Sequence, residues 1–242
     1  RVTFCFGECG ARLDLAELER MLEMRTAMYI DYANVRPWAT KLGWHVDIKR
    51  LKQLLDSFDT IGAVKLYHGT LLGDHESEHR IREAQVLRYD VRTKPVKIMR
   101  LSVDVSSVRS DSTDILKDFI RAPLLKQLRI EVIEYLNHQL AQLNTQGIRF
   151  IEDRKCNFDV EIGRDMLLDD QRNTIAHFVL WSGDSDFADP IQQLLRSGKR
   201  VTLFATARRV AAELNALRRD GLVIFDIQKI RDFICWKREL ER

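Results

Sequence analysis

Short apolar runs alternate with helix-patterned stretches along nearly the whole chain. The runs "AMYI", "GAVKLYHG", "HFVLW", "RVTLFAT" and "LVIFD" are rich in β-branched and aromatic residues, as buried strands are. Between them, "VDIKRLKQLLDSF" sets Ile48, Leu51, Leu54, Leu55 and Phe58 at helical spacing. "ESEHRIREAQVLRYD", "DVEIGRDMLLDD", "FADPIQQLLRSG", "ARRVAAELNALRRD" and "IQKIRDFICWK" read as further helices, "PVKIMRLSV" as a third strand and "GIRFIED" as another. Strands separated by helices cannot form tight hairpins. They build a parallel sheet covered by helices on both faces. The expected fold class is therefore α/β.

Two segments break the alternation. Residues 1–24 end in a short amphipathic helix, expected as an N-terminal appendage, and the main domain is expected over 25–242. The polar, helical stretch at about 111–145, with the periodic "IEVIEYLNHQLAQLN", is expected as a helical insertion. The 242 residues suffice for one sizeable α/β domain carrying such an insertion. No window approaches the run of roughly 18 apolar residues that a membrane helix needs. The first residues carry charge throughout and lack the apolar core of a secretory leader, so a cytoplasmic location is expected. Cys5, Cys9, Cys156 and Cys235 are then expected as thiols rather than disulfides. Cys5 and Cys9 resemble half of a zinc knuckle, but no second pair at suitable spacing follows.

In open parallel sheets, ligands bind beyond the carboxyl ends of the strands. The first strand ends at Asp31, with Asn34 close behind, and the strand "HFVLW" runs into Ser182, Gly183, Asp184, Ser185 and Asp186. A third source of carboxylate is "KCNFDVEIGRDM", where Asp159 stands at a helix start and Asp165 flanks the apolar face. Asp159 and Asp186 also suit helix capping, and Asp165 suits a surface position. Carboxylates from separate elements meeting at one edge repel each other unless a cation neutralises them, and hard oxygen ligands select Mg²⁺ or Mn²⁺. Net charge is only +3, but basic residues cluster locally: Arg92, Lys94, Lys97 and Arg100 in one stretch, and Arg208 and Arg209 after the strand "RVTLFAT". Arg36, Lys41, Arg208 and Arg209 fall on the same edge as the aspartates, where they are candidate contacts for an anionic backbone. His68 closes the second strand and reads as a loop residue.

"YIDYANV", "KCNFDVEIGRDM" and "LWSGDSDFADPIQQLLRSGKRVTLFAT", in that order, resemble the signature series of the NYN (LabA-like) domains, relatives of the PIN nucleases. The resemblance implies a PIN-like three-layer α/β/α sandwich with a mainly parallel sheet. It implies metal binding by Asp31, Asp159, Asp184 and Asp186, supported by Asn34, Asp165, Ser182 and Ser185. The expected activity is Mg²⁺- or Mn²⁺-dependent hydrolysis of RNA, single-stranded by preference, with a homo-oligomer as a possible assembly. Cys156-Asn157-Phe158 departs from the family pattern, which favours small or β-branched residues there. Three other readings compete with this one. A non-catalytic RNA-binding or scaffold module would keep the same acids. A phosphatase or 5′-nuclease is disfavoured because "DYANV" lacks a second Asp two residues on. His75-Glu76-Ser77-Glu78-His79 matches H-E-x-x-H, but at the start of a charged helix it reads as a solvated turn rather than a zinc peptidase.

Overall fold

The computed structural model describes residues 9–71, 73–206 and 210–235, with the side chains of residues 9–14 and of Lys41 set aside. The strands are β1 Thr26–Asp31, β2 Ile61–Thr70, β3 Asp90–Pro95, β4 Lys97–Ser102, β5 Phe150–Lys155, β6 His177–Trp181, β7 Arg200–Ala205 and β8 Val223–Asp226. Six of them form one sheet in the order β3-β2-β1-β6-β7-β8, with every neighbouring pair parallel. Every residue of β1 and β6 is buried. Two-sided burial explains why these strands read as continuous apolar runs rather than alternating ones.

The chain works outward from β1 to β3 on one side, then returns to lay β6, β7 and β8 on the other. The order therefore reverses between β1 and β6, and such a reversal opens a crevice at the carboxyl ends of the two strands. Ile30 stands opposite Trp181, so Asp31 and Ser182 leave the sheet side by side.

The connecting helices begin where short acceptors can take up free N–H groups. Asp47 accepts from the backbone of Lys49 and Arg50 at the start of helix Ile48–Asp56, and Asp74 accepts from Glu76 and Ser77 at the start of helix His75–Val86. Helix Ile48–Asp56 buries Ile48, Leu51, Leu54 and Leu55, the stripe expected from its spacing. Tyr29, Tyr67, Phe158, Phe178, Trp181, Phe187, Phe204 and Phe225 are all essentially inaccessible. Burial of each large apolar side chain contributes about 1.5–3 kcal/mol.

Two polar groups inside this core are matched by neighbours on other elements. His177 lies between the hydroxyls of Thr26 (3.1 Å) and Thr202 (2.8 Å). Asp169, on helix Asp159–Gln171, accepts from Tyr29 Oη (2.6 Å) and Lys65 Nζ (2.5 Å). Its carboxyl lies below the ordinary value although burial pushes the other way, because the Lys65 and Tyr29 donors outweigh that burial.

Several expectations change in detail. The helix Cys9–Met21 contributes Leu18 and Met21, with Leu22 just beyond, to the main core rather than hanging from it, because its apolar stripe finds cover there. The third strand of the main sheet is β3, not "PVKIMRLSV". That segment supplies β4, which pairs antiparallel with β5 ("GIRFIED") in a separate two-stranded sheet. Both strands are largely exposed, so neither suits the doubly covered interior of a parallel sheet. Residues 96–155 form a second compact unit that includes helix Ile130–Thr145. Inside it, Val103, Val105, Leu116 and Ile133 are buried, and Asn144 ties Val105 N–H to the carbonyls of Val103 and Ile148. His68 lies within β2 and is only 7 % exposed, not in a loop. Among the described residues, no helix is long and apolar enough to cross a membrane.

Candidate active site

The crevice between β1 and β6 is floored by Asp31, which is 3 % exposed. One of its oxygens accepts from the backbone N–H of Asn34 (3.2 Å), and the other accepts from Ser182 Oγ (3.3 Å). Asn34 Nδ2 reaches Ser182 Oγ at 3.5 Å, and Trp38 Nε1 donates to Asn34 Oδ1 at 3.3 Å. Trp38 thus fixes the amide that in turn braces Ser182. Beyond β6, the backbone of Asp184 donates to Ser182 Oγ (3.4 Å), and Asp184 Oδ1 accepts from the backbone of Asp186 (3.3 Å). These short-range bonds fold "SGDSDF" into a turn, with Asp184 and Ser185 half-buried and Asp186 exposed.

A further acid comes from helix Asp159–Gln171. Its first residue, Asp159, donates its backbone N–H to Asn157 Oδ1 (3.1 Å). Both of its carboxylate oxygens are shielded from solvent, and neither has a hydrogen-bond partner among the described residues. Asp31, Ala33, Asn34, Cys156, Asn157 and Asp184 together line a cavity of about 150 Å³.

The electrostatics tie these acids together. Burial raises the Asp31 carboxyl to about 7, and the charges of Asp159 and Asp184 add to the rise against the bonds from Asn34 and Ser182. Asp159 is raised to about 6, first by burial and then by the charges of Asp184 and Asp186. No lysine or arginine appears among the leading influences on either group. Among the described residues, the leading charges acting on this edge are therefore those of other acids, not of cations.

This donor set suits a divalent cation. Its oxygens are hard, and among the described residues the Asp159 pair has no hydrogen-bond partner. Among the described residues, no three acid, histidine or cysteine side chains form a ready-made metal cage. Mg²⁺ does not need one, since it keeps several waters and takes one or two carboxylates plus substrate phosphate.

The residues selected from the sequence fall into four groups. Asp31, Asn34, Asp159, Ser182, Asp184, Ser185 and Asp186 lie on one edge. Asp165 makes its bonds elsewhere on the same helix, accepting from Tyr67 Oη (2.9 Å) and pairing with Arg164 (3.2 Å). Arg36 is exposed and faces Glu76 at 3.5 Å. Arg208, Arg209 and the Lys41 side chain lie outside the described residues, as does Cys5; Cys156 and Cys235 are free thiols. Sequence reasoning missed Trp38 and Asn157, whose roles depend on bonds to neighbours. It also missed the Lys65–Asp169 pair, whose members stand 104 residues apart.

A family model described as the NYN domain matches residues 25–225, most of the chain. The chain belongs to the NYN domain family. Its fold is that of a PIN-like nuclease family, and the matched segment contains all the acids described above. The NYN chain is also 28 % identical over 215 residues to the low amplitude and bright protein LabA of Synechococcus elongatus, with 87 % of each chain covered. Among solved structures it resembles VPA0982 of Vibrio parahaemolyticus, a protein of unknown function. The TM-score is 0.50 at 16 % identity, covering 87 % of this chain and 95 % of the other, a likeness in fold alone.

Proposed function

We propose that this NYN domain is a metal-dependent ribonuclease that hydrolyses phosphodiester bonds of single-stranded RNA at the β1–β6 edge. One observation carries the reading: Asp31, Asp159 and Asp184, from three separate elements, share a small cavity or each other's field, and this raises the first to about 7 and the second to about 6. Proteins do not bring buried acids together uncompensated without a cation or a proton to share. Asp31, Asp159 and Asp184, with Asp186 at the rim, would hold Mg²⁺ or Mn²⁺. Such an ion activates water and neutralises the scissile phosphate. Ser182 and Asn34 keep the Asp31 carboxylate in one orientation, and Trp38 holds Asn34. No side-chain nucleophile is required.

Cleavage of labelled single-stranded RNA in Mn²⁺ or Mg²⁺ tests the proposal. Activity is expected in wild type and lost in Asp31→Asn and Asp184→Asn. A second reading, an RNA-binding or scaffold module that keeps the acids without catalysis, is favoured by the missing three-ligand cage among the described residues. RNA binding with no cleavage in either metal would select it.

A further inference from the structure

A second cavity opens behind the residue that follows Asp31. It measures about 280 Å³, and its walls include Tyr32 and Trp44. Its polar lining combines the guanidiniums of Arg36 and Arg80 with the carboxylates of Glu76 and Glu83. Glu76, His79, Arg80 and Glu83 recur at the spacing of one helix face, so helix His75–Val86 presents them together. Glu76 pairs with Arg80, and with Arg36 at 3.5 Å. Tyr32 packs edge-on against the buried His68, with ring centroids 5.3 Å apart. No ring nitrogen of that histidine has a partner among the described residues.

The chemistry of this lining points to one kind of ligand. Arg36 and Arg80 face an equal number of carboxylates, those of Glu76 and Glu83. A phosphate is held by cations that are not already paired, and here the nearest carboxylate occupies both guanidiniums. A nucleobase differs: it is a flat ring whose edge offers donors and acceptors together. Guanidinium donors, carboxylate acceptors and aromatic walls match it on every side. Position agrees, because Asp31 and Tyr32 are consecutive, with Asp31 turned to Ser182 and Tyr32 to His68.

We propose that this cavity holds one unstacked base of the RNA strand whose scissile phosphate would meet the metal held by Asp31, Asp159 and Asp184, giving the enzyme a base preference beside the cut. The assignment rests on the ribonuclease reading. The test uses the full chain carrying Asp31→Asn, in EDTA, so that nothing is cleaved. Binding of labelled single-stranded oligoribonucleotides of each base is followed by fluorescence anisotropy.

One base is expected to bind about tenfold more tightly than the others. Its free nucleoside, which has no phosphate, should compete. Glu76→Gln should remove that preference while leaving the other oligonucleotides unchanged, and Arg36→Ala should also remove the preference. Both side chains are substantially exposed, at 47 % and 72 %, so the fold should tolerate the changes, and melting curves check this. Equal binding of all four bases overturns the proposal, as does a preference that survives both substitutions. Base-selective, variant-sensitive binding by a wild-type protein that cuts no RNA in Mn²⁺ would instead leave the pocket standing and overturn the ribonuclease reading.

Discussion

Replacing Asp31 by asparagine should stabilise the metal-free protein at neutral pH while removing the function proposed for it. In the folded chain the Asp31 carboxyl keeps its proton up to about 7, against 3.8 in a model peptide. The native state therefore binds this proton more tightly than the unfolded chain. Stability contributed by the group is present below about 3.8 and is lost as pH rises toward 7. The gap corresponds to a ceiling of about 4 kcal/mol. Asparagine removes the charge yet keeps an oxygen for the Asn34 N–H. With imperfect repacking of the amide, a gain of about 1–3 kcal/mol is expected, or about 2–4 °C in Tm for each kcal/mol. Scanning calorimetry in EDTA at pH 8, 6 and 4.5 reads it directly. The variant should melt above wild type at pH 8, by less at pH 6 and hardly at all at 4.5. Mn²⁺ should raise the wild-type Tm and leave the variant unmoved. A variant that melts below wild type at pH 8, or a gain independent of pH, would refute the claim that the leading charges acting on the site are those of other acids.

Other substitutions separate roles. Asp169→Ala strands Lys65 in the core and should cost about 3–5 kcal/mol in urea denaturation, far more than an exposed pair would. Trp38→Phe deletes the bond to Asn34 together with part of a buried ring, and should lower RNA cleavage several-fold, as a change in kcat rather than KM, with a stability loss of about 1–2 kcal/mol. Asp159→Asn should abolish cleavage, whereas Asp165→Asn should leave most of it, because Asp165 is bonded to Tyr67. Comparable losses in the two would place Asp165 in the catalytic set.

The parts of this molecule legible from sequence are those whose signal is local or periodic. The apolar runs of β1, β6 and β7 announce two-sided burial, and "SGDSDF" carries its turn within a few residues. Asp31 stands out because a carboxylate directly ends a buried strand. Other features depend on partners that no local pattern encodes. Asn34 matters through Trp38 and Ser182, and Ser182 lies 148 residues away. Lys65 looks like an ordinary charge interrupting a strand until Asp169 is brought to it. The segment "PVKIMRLSV" reads as a strand of the main sheet because sequence shows that a segment is extended and not which edge it joins. The burial of His68 is not legible either, because an imidazole near the end of a strand gives no sign of being enclosed.

The pairing of Ile30 with Trp181 acts as a ruler. Adjacent strands stand about 4.8 Å apart, so the separation between the first acid and the serine turn is set by backbone hydrogen bonds, not by the side chains at the crevice. Substitutions that preserve the packing of β1 against β6 leave that spacing intact. Selection is then free to remodel the surrounding loops, and with them the choice of substrate, without recalibrating the chemistry.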